Sequence, residues 1–160
     1  AQGAIVTGVC SAENQALVIE LGANHVIDYK QDDVLDGAQR FDIIFDTIGR
    51  HSMRKCSIIL NPGGAYVSTV PSPENLKAMV LSHVKSSFDA VKPKHSAAKK
   101  ASVVMVKSTG KELAQIAQLI EAGLVRPVID RVYPLKDAAL AHDFSRSLRA
   151  KGKIILQIQI

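Results

Sequence analysis

Short β-branched runs alternate with helix-patterned stretches along the first half of the chain, and this alternation constrains the fold more than any single motif. The run AIVTGVC (4–10) is followed by SAENQALVIELGA, in which Leu17, Val18 and Leu21 recur at helical spacing and Gly22 supplies a stop. HVIDY (25–29) reads as a second strand, and KQDDVLDGAQ after it as a polar, helical turn. FDIIFDTIG (41–49) has a fully apolar centre, the composition of a strand buried on both faces of a parallel sheet. Residues 51–60 read as a helix stopped by NPGG, and AYVSTV (65–70) as a fourth strand. A β-α-β-α-β-α-β order predicts an α/β fold, a parallel sheet with helices on both faces, because each right-handed crossover returns the chain to the same sheet. All strands then point one way. Their carboxyl ends, at Cys10-Ser11, Asp28-Tyr29, Asp46 to Gly49 and Thr69 to Pro71, form one rim, and open α/β sheets bind ligands along that rim.

The second half is more mixed. Residues 74 to 91 read as a helix, VKPKHSAAKK (91–100) as a basic connector and ASVVMV (101–106) as a strand. In STGKELAQIAQLIEAG, Thr109 and Glu112 fit a capping box, Leu113, Ile116, Ala117 and Ile120 form an apolar stripe, and Gly123 ends the helix. RPVIDRVYPL reads as extended, KDAALAHDFSRSLRA as a helix with Leu140, Phe144 and Leu148 on one face, and GKIILQIQI as a last strand.

Composition narrows the function classes. Across 160 residues, 47% are hydrophobic, enough for a substantial core, and the net charge of +5 is compatible with an anionic ligand. The lysine-rich stretch from Lys77 to Lys107 holds one aromatic residue, Phe88, and so lacks the stacking series of a nucleic-acid surface. No apolar run approaches the roughly 18 residues of a membrane span. Cys10 and Cys56 are far apart and the five histidines are scattered, which predicts neither a disulfide framework nor a zinc site, and a reducing, cytoplasmic setting.

Gly3 fits the glycine that closes a helix, with Ala1 and Gln2 as its last turn, so the sequence is expected to begin inside a β-α-β unit. No G-x-G-x-x-G motif occurs in the chain. In a dinucleotide-binding sheet of order 3-2-1-4-5-6 that motif follows the first strand, so the first β-α unit is expected to be missing.

Over essentially its whole length, and most sharply in the stretches ELGANHVIDYK, FDIIFDTIG, LNPGGAYVS, LIEAGLVRPVIDRVYPLKDAALAH and RAKGKIILQI, the chain resembles the C-terminal half of a medium-chain dehydrogenase/reductase. The similarity is greatest to the zinc-independent, quinone oxidoreductase-like group that uses NADPH. It implies a partial Rossmann-like, NAD(P)-binding domain over 1–125 and a C-terminal segment of the catalytic domain over 126–160.

Position by position, the resemblance implies that Ser11 lies beside the 2′-phosphate of NADP at the end of the second family strand. An acidic residue there would favour NAD, which makes NAD the second choice. Ser11 also suits a helix N-cap, and the two roles are compatible. Asn14 stands where relatives often carry a cation, and Tyr29 matches a tyrosine at the adenosine end, with Lys30 next to it. Thr47, Ile48 and Gly49, and Thr69, Val70 and Pro71, match the loops that run beneath the ribose and nicotinamide, and Lys153 a basic residue that approaches the phosphates. No catalytic residue is named, because hydride transfer is the cofactor's own chemistry. The implied activity is reduction of quinones or α,β-unsaturated carbonyls, by a homodimer paired through the strand 101–106. Two alternatives stay open: a non-catalytic Rossmann-like binding or dimerisation module, and an enoyl-reductase domain of a larger synthase.

Overall fold

The computed structural model describes residues 3–89, 99–104 and 109–158, with residues 82–89 described by their backbone alone. The chain divides into two compact units, one formed by Ala1–Asp28 with Ser108–Ile160 and the other by Tyr29–Lys107.

In the first unit, β1 (Thr7–Cys10) runs parallel to β2 (His25–Asp28), in a register that pairs Cys10 with Asp28. Between them a single 3-10 turn, Ala12–Asn14, leads into α1 (Gln15–Glu20). The second half of this unit holds three further elements. The helix α4 (Gly110–Glu121) begins at the expected cap: Thr109 Oγ1 accepts the Glu112 amide at 3.2 Å and donates to Glu112 Oε2 at 2.9 Å. The strand β6 (Ile129–Pro134) lies parallel to β7 (Lys153–Gln157), and α5 (Ala138–Arg146) connects them.

The second unit is a three-stranded parallel sheet in the order β3 (Phe41–Asp46), β4 (Leu60–Ser68), β5 (Lys100–Val103). A short α2 (Met53–Cys56) precedes β4, and α3 (Pro73–Asp89) follows it. Its core joins Cys56, Leu60 and Tyr66, with Leu35, Ile44 and Met53 packed around them.

All described strand pairs are parallel, and helices intervene as the alternation required. Three local expectations are corrected. The stretch KQDDVLDGAQ forms turns rather than a helix, because Asp33 accepts the Leu35 amide at 2.9 Å and so competes with helical bonding. NPGG does not separate a helix from a strand: β4 already starts at Leu60 and passes through it, with a register irregularity opposite Phe41 to Ile43. The centre of FDIIFDTIG is covered on one face only. Ile44 packs into the core, whereas Ile43 and Phe45, on the opposite side of the pleat, are 66% and 61% exposed. Of the expected segments, Ala1-Gln2, most of the connector 91–100 and residues 105–106 lie outside the described residues.

Candidate functional site

Each unit carries its own piece of the strand-end rim. In the first, parallel pairing sets the ends of β1 and β2 side by side. The Cys10 thiol is pushed up from its ordinary value of 9.0, by burial and then by the Asp28 carboxylate across the register. Ser11 follows, 8% exposed, with extended backbone (φ −79°, ψ 158°) and no side-chain capping bond. Asn14 caps α1 only through its position: its side chain makes no capping bond, and its Oδ1 is enclosed without a hydrogen-bond partner. Lys151 reaches this segment from the turn before β7, its Nζ donating to the Glu13 carbonyl at 3.4 Å. The Lys151 amide is itself held by Asp130 Oδ2 at 2.7 Å. Lys153 lies two residues further on, exposed at the first position of β7.

In the second unit the rim is knit by one carboxylate. Asp46, the last residue of β3, accepts the amides of Ile48 at 2.9 Å and Gly49 at 2.7 Å through Oδ1. Its Oδ2 lies 2.9 Å from the Tyr66 hydroxyl, whose proton is shared with the His51 carbonyl at the same distance. Tyr66 is 1% exposed, and burial, followed by the bond to Asp46, pushes its hydroxyl up to about 12.

The Asp46 carbonyl accepts the Thr69 amide at 3.0 Å, which ties the loop after β3 to the loop after β4. Ser68, wholly buried, accepts the Val70 amide through Oγ at 3.1 Å. Gly49 adopts φ +75°, and a Cβ there would lie 3.0 Å from Val70 Cγ1; a left-handed backbone and a close neighbour both call for glycine. Pro71 continues this loop on the exposed side, just before α3. Tyr29, 43% exposed, carries the Arg50 guanidinium 5.2 Å above its ring.

The structure thus brings Thr47, Ile48 and Gly49 together with Thr69 and Val70, and places Ser11 and Asn14 in the segment that Lys151 reaches. The sequence places Asp46 on the rim only as a strand end, without its role as acceptor, and four residues at these places escape sequence reading altogether: Tyr66, Ser68, Arg50 and Lys151. A signal existed for the role of Asp46, since an Asp two and three residues before exposed backbone amides is an Asx-turn pattern. The others depend on strand register and on residues distant in sequence.

Known proteins share this fold. The quinone oxidoreductase of Coxiella burnetii superposes with a TM-score of 0.74 at 22% identity, over 99% of this chain and 46% of that one. This likeness shows the class of fold, a Rossmann-like α/β arrangement. Residues 21–156 match the family model described as zinc-binding dehydrogenase, and the chain belongs to that family.

Its relatives include a trans-enoyl reductase of Aspergillus terreus, 32% identical over 98% of this chain and 45% of the relative. The quinone oxidoreductase of Rattus norvegicus is 29% identical over 98% and 48%, and a probable zinc-binding oxidoreductase of Arthroderma benhamiae is 27% identical over 96% and 44%. The chain therefore spans a little under half the length of these relatives. The family's name carries a zinc ion, but among the described residues no group of three or more His, Cys, Asp or Glu could hold a metal ion. The described residues on their own therefore do not fit a zinc centre.

Proposed function

We propose that this chain is the cofactor-binding half of an NAD(P)H-dependent oxidoreductase, with NADPH the preferred cofactor and quinones or α,β-unsaturated carbonyls as substrates. The observation that carries the reading is the family match over residues 21–156, in a chain whose two units each set the ends of parallel strands side by side, the place where sheets of this kind bind ligands. The relatives named as quinone oxidoreductase and trans-enoyl reductase support this choice of substrate class. The reduced nicotinamide supplies the hydride when bound; the protein supplies position and electrostatics.

Ser11, Asn14 and Lys151 serve the adenosine-phosphate end. The lysine provides the cation that Asn14 does not, and the enclosed Asn14 amide leaves a polar group still to be satisfied. Tyr29, Arg50 and Lys153 add to the reception of the nucleotide, and the loops Thr47–Gly49 and Thr69–Pro71 orient it. The protein works as a homodimer through the edge strand β5, within the expected span 101–106, and binds neither nucleic acid nor membrane. Among the described residues no helix is long and apolar enough to cross a membrane.

The test is fluorescence titration of NADPH and NADH into the polypeptide as its gene encodes it. NADPH binds more tightly, and Lys151→Met weakens NADPH by about tenfold, the scale of one charge-assisted contact, while NADH changes little. Absence of binding by either nucleotide overturns the function, whereas equal losses for both overturn the 2′-phosphate end.

A further inference from the structure

Two successive amides of the loop after β3 are already taken. The amides of Ile48 and Gly49 both point at Asp46 Oδ1, and the next strand-end amides, of Thr69 and Val70, are taken by the Asp46 carbonyl and by Ser68 Oγ. A carboxylate sits directly behind the loop, and its exposed surface is led by Ile48, 79% exposed. Phosphate-binding loops do the opposite: they turn free amides outward and keep negative charge away.

The carboxylate is also fixed. The buried Tyr66 hydroxyl lies 2.9 Å from Oδ2 while the two amides hold Oδ1. Swinging it away would break three hydrogen bonds at once, so the loop keeps its shape without a ligand. We propose that Asp46, steadied by Tyr66, is a positioning residue that holds Thr47–Gly49 in the form that receives an uncharged part of the dinucleotide and denies that loop to phosphate. This inference rests on the cofactor reading above.

Two probes separate the parts of the ligand. NADPH carries the nicotinamide and its ribose as well as the phosphates, whereas adenosine 2′,5′-bisphosphate carries only the phosphate end. In the polypeptide as its gene encodes it, Asp46→Ala raises the Kd of NADPH by about tenfold, the loss expected of a charge-assisted bond, and leaves the bisphosphate within about twofold. Asp46→Asn restores NADPH binding, because its amide oxygen still accepts both backbone N–H groups and Tyr66 still has the His51 carbonyl. Amide hydrogen exchange at Ile48 and Gly49 is slow in the parent and in Asp46→Asn, and fast in Asp46→Ala.

If Asp46→Ala does not fold, Tyr66→Phe serves instead. It raises the NADPH Kd severalfold and speeds exchange at the same two amides, with the bisphosphate again unaffected. Parallel loss of both ligands, no loss of either, or unprotected amides at Ile48 and Gly49 in the parent overturns the role of Asp46. A parent that binds neither probe overturns the cofactor reading itself, and this inference with it.

Discussion

Tyr66 links stability to the rim at the scale of one side chain. Its ring fills the core beside Cys56 and Leu60, and its hydroxyl anchors Asp46. Both ionisable groups of that core are raised: Cys56 from 9.0 to about 11, by burial and then the Asp46 charge, and Tyr66 from 10.0 to about 12. A raised folded-state value means that the unfolded chain releases its proton first as pH increases. The stabilisation is therefore complete below pH 9 and is lost through pH 9 to 11 for the thiol and 10 to 12 for the phenol. Thermal melts recorded from pH 7 to 12 should show Tm falling from about pH 9, and Tyr66→Phe, though less stable at pH 7, should decline less steeply above pH 10. A parent Tm that stays level to pH 11 would contradict this coupling. None of it was readable from AYVSTV, where Tyr66 looked like one more strand residue. Its partner Asp46 lies twenty positions earlier, and only the register that sets Asp46 opposite Ser68 brings the two together.

Elements were legible where a local rule decides them, and illegible where a distant partner does. The cap at Thr109 and Glu112 is such a local rule, and so are the helix ends near Gly22 and Gly123. The start of β4 at Leu60, ahead of NPGG, follows instead from pairing with β3. Gly152 is the clearest case of the second kind. It reads as the first residue of the last strand, yet a Cβ there would collide with the Val128 carbonyl oxygen, where the two strands β6 and β7 begin to pair and the Lys153 amide donates to that oxygen at 2.7 Å. Gly152→Ala must move backbone and should cost about 1–3 kcal/mol in chemical denaturation, the range of an overpacked site. Thr109→Ala, which removes only the cap of α4, should cost about 1 kcal/mol. If Gly152→Ala proves the milder of the two, the close approach at Val128 does not constrain the chain.

At the scale of the whole molecule, the order of strands and helices carried the fold class, because alternation is a property of sequence. The exposure of Ile43 and Phe45 was not readable, since their run has the composition of a strand enclosed on both sides and exposure depends on what packs against the sheet. The proposed homodimer belongs at this scale as well. The Val104 amide is already committed to the Ser68 carbonyl at 2.8 Å, so strand alternation turns the neighbouring Val103 amide to the outer edge of the sheet. Val103→Pro should convert the dimer to a monomer in sedimentation velocity while preserving nucleotide binding. An unchanged dimer would move the interface elsewhere.

The pairing of β6 with β7 also bears on the order of folding events. A parallel pair forms only after the chain between its strands has come back on itself, and the entropy of that closure grows with its length. Ile129–Gln157 holds both strands and the connecting helix α5 in one continuous stretch, with the Arg131 guanidinium 3.8 Å above the Phe144 ring. The pairing of β4 with β5, by contrast, must wait for everything from 69 to 99 to be laid down. The C-terminal β-α-β is thus better placed than the β4–β5 pair to form early, and mutations at Arg131 or Phe144 should slow refolding more than mutations in β5 do.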